Sequence, residues 1–388
     1  MGTMMNKMKI VSILLLIFVV SCSKNHQKWQ GTIEEKNGVT IVKNPQEGIW
    51  DTKENKDITM VKKIQIGKED GPEEYLFGYI SDAAVNSKGD IYIADRQLNE
   101  IRKFNKKGEH LLTIGRLGQG PGEFQNIHII SVSPQDHLLA FDNMLERISV
   151  FKDNGEHLKT TKKLLKDTWV TPSKIFHSKG NYIIFGHLGN SLKIFHEFDR
   201  EWNILESYID YEFIDNKEFE ERQLGFNPGN AFFKQDGDFL YTKYFYDNQI
   251  FIYSGKTCEK ILRRKSDIKK PYDVRVFHDM EKAKNVPDSE YDFGSYGKGI
   301  IFLGVSYQCS LGLYQLSNGY IVNFIRIRKS KDLFEFGVEM YGPEGKLLKY
   351  SKLGENIYYD MCCMDSHEHF YAIERKDYNK IFIFRLEY

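Results

Sequence analysis

Two stretches of this chain are near copies of one another, 47 residues apart. Residues 91–111 align with 138–158 without a gap: Asp95, Ile101, Phe104, Gly108, Glu109, His110 and Leu111 recur as Asp142, Ile148, Phe151, Gly155, Glu156, His157 and Leu158. The flanks repeat as well. Ile66 and Gly67 lead into Gly71, Pro72 and Tyr75, as Ile114 and Gly115 lead into Gly120, Pro121 and Phe124. A period of this length restricts the fold severely, because each unit must be a supersecondary structure that buries its apolar face only against the next copy.

Within the first copy, residues 79–85, 91–94, 100–104 and 109–114 read as four short strands, A to D, separated by Gly, Asn and Asp turns. That is an antiparallel meander, and a four-stranded unit of roughly 40–50 residues is a propeller blade. Weaker copies follow at 173–209, 230–262, 307–350 and 358–386, with the equivalents of Phe104 expected at 151, 195, 253, 340 and 384. The expected fold is therefore all-β, a six-bladed β-propeller spanning residues 58–388. The last unit stops one strand short at Tyr388, while residues 58–66 make a strand with no blade of their own. Closing the last blade with this N-terminal strand leaves no open edge. Residues 263–299, charged and turn-rich, read as an insertion loop, with a hidden seventh blade as the alternative.

Composition agrees. Phe, Tyr and Trp make up 14% of the 388 residues, against nine Pro, a balance that suits pleated, buried surfaces. Lys plus Arg and Asp plus Glu number 54 each. That excludes a basic nucleic-acid binder, an acidic disordered tail and a multi-span membrane protein.

The first 21 residues read as an address. Lys7 and Lys9 precede an apolar run, Ile10 to Val20, too short for the roughly 20 residues of a membrane span. The run ends in Val19, Val20, Ser21 and Cys22, which resembles a bacterial lipobox. Cleavage there would leave Cys22 as the lipidated first residue, and acyl chains contribute about 0.8 kcal/mol per buried CH₂. Removing residues 1–21 takes away two lysines and no acids, leaving 52 basic and 54 acidic groups. Residues 22–57 then form a polar tether and lead-in. With no acidic cluster after Cys22, the expected location is the cell envelope, as an outer-membrane lipoprotein facing the periplasm, attached through its lipid alone. The other cysteines, Cys258, Cys309, Cys362 and Cys363, have no metal-binding spacing and are expected to be mostly free thiols.

Together, the lipobox at Cys22, the Asn44-Pro45 segment, the glycine-rich loop from Gly115 to Phe124 and the repeated Asp-x₅-Ile-x₂-Phe units resemble the six-bladed β-propeller lipoproteins of Gram-negative bacteria, relatives of TolB-like and NHL-repeat propellers. The resemblance implies a fold and leaves the reaction open, because propellers host enzymes, binders and scaffolds alike.

In a meander the D-to-A and B-to-C connections emerge on one face, so they surround one mouth of the central channel, which the A strands line. Counting from the A–B turns puts Ser81, His128 and Asp360 at one equivalent position, and Asp82 and Asn230 at the next. Side-chain alternation lets only one of these columns face the channel; the expectation is the first, with Arg116 of the glycine-rich loop within reach of the mouth. Gly118, Gly120 and Gly122 are read as supplying positive φ, and Asp95 and Asp142 as capping turn amides. His367 and His369 fall in a turn on the opposite face. There is no nucleophile elbow, phosphate loop or zinc motif. The expected function is a non-catalytic module, monomeric and without cofactor, that binds a protein partner or an extracellular ligand. The alternative is a metal-dependent hydrolase, lactonase or lyase, with a divalent metal held in the channel by residues such as His128 and Asp360.

Overall fold

Asp95 and Asp142 show how one unit of the repeat closes. Asp95 ends its B strand and accepts four backbone N–H bonds, from Gly78 and Tyr79 on the incoming loop and from Gln97 and Leu98 in its own turn. Asp142 does the same with Gln125, Asn126, Met144 and Leu145. One carboxylate thus satisfies both connections at the channel end of its blade.

The structure, a computed structural model, describes residues 29–51, 57–165, 169–189, 191–210, 228–234, 236–268, 270–287, 293–297 and 300–388. Cys22 and the apolar run before it lie outside these residues. Six meanders follow in order. Blade 1 comprises Ile80–Val85, Ile91–Asp95, Glu100–Phe104 and His110–Ile114, and blade 2 comprises Ile127–Val132, Leu138–Asp142, Arg147–Phe151 and His157–Thr160. Blade 3 is Val170–Ser178, Asn181–Leu188, Lys193–Phe198 and Ile204–Asp210; blade 4 is Asn230–Phe233, Phe239–Thr242, Gln249–Ser254 and Thr257–Arg264. Blade 5 is Gln308–Gln315, Ile321–Arg328, Phe334–Tyr341 and Leu347–Glu355. Blade 6 takes Tyr359–Met364, Phe370–Glu374 and Lys380–Glu387 from the C-terminus and Thr59–Ile66 from the N-terminus, antiparallel, with Ile381 opposite Ile66 and Glu387 opposite Thr59. The fold is the all-β six-bladed propeller, closed as expected.

Each sheet is sandwiched between two others, so both of its faces are apolar. Among the described residues there are six large buried clusters, one per blade interface: Tyr92 and Phe151 share the first, Phe141 and Trp202 the second, Phe195 and Tyr241 the third, Leu240 and Tyr341 the fourth, Phe324 and Phe384 the fifth, Ile93 and Tyr371 the last. This is what the aromatic excess builds.

Every blade carries a β-bulge in the pairing of its strands C and D, at Phe104, Phe151, Phe198, Tyr253, Tyr341 and Phe384. The repeat position in blades 3 and 5 is therefore Phe198 and Tyr341, not residues 195 and 340. In blade 3 the hairpin glycine is replaced by Trp202, which holds φ at 67° and stacks on Tyr182 with ring centroids 4.0 Å apart.

Two features lie outside the repeat. Between blades 4 and 5, Tyr272–Phe277, Phe293–Gly297 and Ile300–Ser306 form a three-stranded sheet, accompanied by a short helix, Met280–Lys284. The segment is thus a small sheet rather than a loop. At the other end, the hairpin of Thr32–Lys36 and Val39–Asn44 extends blade 4, with Val39–Asn44 parallel to Thr257–Arg264. Buried Asn44 pins it: its amide donates to the Gly345 carbonyl, and its Oδ1 accepts from the Leu347 amide and the Trp29 indole.

Candidate functional site

Strand A of blades 1, 2, 3, 5 and 6 is also bulged, at Ser81, His128, Ser173, Leu311 and Cys362. A bulge turns neighbouring side chains towards the same side. The expectation that only one column faces the channel is corrected on this ground: Ser81, His128 and Asp360 border the cavity at the channel mouth, and so do Asp82 and Asn230. The cavity measures about 400 Å³. A second, narrower one of about 220 Å³ continues along the axis between apolar residues such as Ala84, Val132, Phe232 and Tyr314.

Lys174 stands at the waist between them and borders both. From blade 3 its Nζ donates to the Cys362 carbonyl of blade 6 and lies 3.7 Å from Oδ1 of Asp82 in blade 1. The other oxygen of Asp82 accepts the Ile130 amide of blade 2 at 3.1 Å, so this pair ties four blades together across the axis. Burial lifts the Asp82 carboxyl above its ordinary range, with Lys174 and the Ile130 amide pulling against it. Burial is the largest single effect on Lys174 and works against its charge, but Asp82 together with the neighbouring Cys362 and Cys363 outweighs it, and the ammonium is held above its usual pKa.

Nearer the opening, Tyr79 lies between two guanidinium groups, those of Arg96 at 4.5 Å and Arg375 at 4.8 Å from its ring centroid. The ring is fixed by its own backbone, since the Tyr79 amide is one of those held by Asp95 and its carbonyl accepts the Arg96 amide. Arg375 donates from Nη2 and Nε to the Ile80 carbonyl at 2.8 and 3.3 Å and pairs with Asp360. The Asp360 side chain, 61% exposed, marks the rim. His128 is kept below its usual pKa by burial first and by the neighbouring Arg96 charge, against the pull of Asp82. Asn230 donates to the carbonyl and hydroxyl of Ser310, binding blade 4 to blade 5 beside the cavity.

Arg116 is not among the residues bordering the mouth. Its side chain is 80% exposed and forks onto Glu123, whose other oxygen accepts the Gly120 amide. A Cβ at Gly118 or Gly120 would meet the Glu123 carboxylate, at 2.2 and 2.9 Å, and would push it from its place between Arg116 and the Gly120 amide. Of the three, only Gly122 has positive φ. The turn histidines lie far from the mouth, with His369 3.0 Å from Asp365.

Among the described residues no three His, Cys, Asp or Glu side chains gather as a metal site. The donor set of the alternative also fits poorly, because a divalent ion would have to displace Arg375 from Asp360 and Lys174 from Asp82.

Sequence reasoning missed Arg96, Arg375 and Lys174. A signal for the arginines exists: Asp95-Arg96 recurs as Glu374-Arg375 at the same end of strand B. Lys174 was visible only as a cation inside an innermost strand.

A closed ring of six four-stranded blades with a polar, mostly cationic channel mouth defines a six-bladed β-propeller with one candidate binding site on its axis. Residues 52–296 match the family model of DUF5128, described as a 6-bladed beta-propeller, and the chain belongs to that family. Among solved structures it is similar to a DUF4221 family member from Bacteroides vulgatus, 13% identical over 85% of this chain and 98% of the other, with a TM-score of 0.57. It is also similar to a protein from Bacteroides fragilis, 12% identical over 90% of this chain and 100% of the other, TM-score 0.55. A virginiamycin B lyase from Staphylococcus aureus matches at 11% identity over 85% of this chain and 100% of its own, TM-score 0.45. At such identities the likeness is one of fold. No curated protein matches the chain.

Proposed function

We propose that this protein is a binding module of the cell envelope that takes a small ligand into the mouth of its propeller channel. The observation that carries the reading is the mouth itself, a cavity of about 400 Å³ to which all six blades contribute polar groups. A pocket of this volume with a few convergent polar groups on a rigid frame is the usual form of a small-molecule site. Filling it tests the idea. Ligands that raise the melting temperature of the wild-type domain should lose that effect in both Ser81→Trp and Ser173→Phe, which block the mouth from different blades. Hits that stabilise both variants as well as wild type would sink the reading.

Envelope attachment is the second part of the proposal, supported by the lipobox-like Val19-Val20-Ser21-Cys22 run. With Cys22→Ser the protein is expected to move from the membrane fraction to the soluble one. Continued fractionation with membranes would refute lipidation at Cys22.

A further inference from the structure

The cations at the mouth are not equivalent. Lys174 is matched by Asp82 and Arg375 by Asp360. Arg96 has no such match: its guanidinium makes no hydrogen bond or ion pair among the described residues and is held only by stacking on Tyr79, 4.5 Å away. Stacking fixes the plane of a guanidinium while leaving its edge N–H groups free, the arrangement that receives carboxylate or phosphate oxygens in pairs. Two more groups around the same cavity, the His128 imidazole and the Tyr79 hydroxyl, also make no hydrogen bond among the described residues. The remaining lining adds hydroxyls and amides, Ser81, Ser173 and Asn230, and the volume far exceeds that of a bare inorganic ion.

We infer that the mouth is selective for small hydroxylated molecules bearing an oxyanion, which Arg96 engages with its free edge while Tyr79 and His128 complete the contacts. This rests on the mouth being a binding site and adds the chemical class of its ligand. The shared chemistry is the oxyanion; a carboxylate sugar and a phosphorylated sugar both present it.

The test is calorimetric titration of the purified domain with D-glucuronate, D-glucose 6-phosphate and D-glucose. At least one of the acids should bind at least tenfold more tightly than glucose and weaken with added salt; whichever binds better assigns carboxylate or phosphate. Arg96→Gln should cost that acid at least tenfold, and Arg96→Lys less, with thermal melts confirming that both variants fold. Equal binding of glucose and the acids, no binding of either acid, or an unchanged affinity in Arg96→Gln would overturn the inference. If Ser81→Trp abolishes equal binding of acid and neutral sugar, the cavity is still the site and only its selectivity is refuted. Binding that survives Ser81→Trp would instead refute the cavity.

Discussion

His196 is completely enclosed in blade 3. Its Nε2 donates to the Gly186 carbonyl at 3.3 Å, so the neutral ring accepts the Ser207 hydroxyl at Nδ1, 2.7 Å away. His177, two strands away on the innermost strand of the same blade, sets its ring against Tyr182, and its buried Nε2 has no partner among the described residues. Burial pulls both rings down to a pKa of about 4. Because these folded values lie below the ordinary 6.5, the unfolded chain takes up protons first as pH falls. Their contribution is complete above pH 6.5 and drains away towards pH 4. Melts at pH 7 and pH 5, a range in which most carboxylates stay ionised, should show a loss of roughly 2 kcal/mol per histidine. His196→Asn and His177→Gln should each flatten that slope whatever they do to stability at pH 7. A slope unchanged in both variants would mean the rings take up protons as readily in the folded protein as in the unfolded chain.

At the scale of the strand, the closing element carries the sharpest expectation. Thr59–Ile66 covers the edge of Lys380–Glu387, and Ile58 and Ile66 are each 1% exposed. Removing residues up to 67 should abolish the cooperative melt of the whole domain, since it bares an edge and opens the cluster between blades 6 and 1. A peptide of residues 57–67 supplied in trans should restore it by strand addition; a truncated chain that still melts cooperatively would contradict this. Elements such as this one were legible because they follow from counting: a last unit one strand short and a first strand without a blade. Finer register was not. Phe195 and Met340 look like the repeat positions in the linear sequence, yet the shared bulge marks Phe198 and Tyr341 as the true ones, and the loss of a hairpin glycine to Trp202 hides the first of them.

For the molecule as a whole, a formal charge of zero conceals a mouth where Arg96, Arg375 and Lys174 outnumber Asp82 and Asp360. Net charge averages over a surface, whereas a site depends on which few groups the topology gathers. Ser81, His128 and Asp360 could be found by aligning turns, because they stand a fixed number of residues from the A–B turn. Alternation misled at Asp82, because a bulge adds a residue that no periodicity announces. The pairing of Lys174 with Asp82 is a contact between blades 1 and 3, 92 positions apart in the chain, and the repeat says nothing about it. The hairpin on blade 4 has a mechanical consequence. A pull on the N-terminus first peels Thr32–Lys36 from Val39–Asn44 and then loads the parallel bonds to Thr257–Arg264. Only after the Asn44 clamp gives way does tension reach Thr59–Ile66. The strand that seals the ring is thus the last to bear load, and the hairpin acts as a sacrificial fuse in front of it.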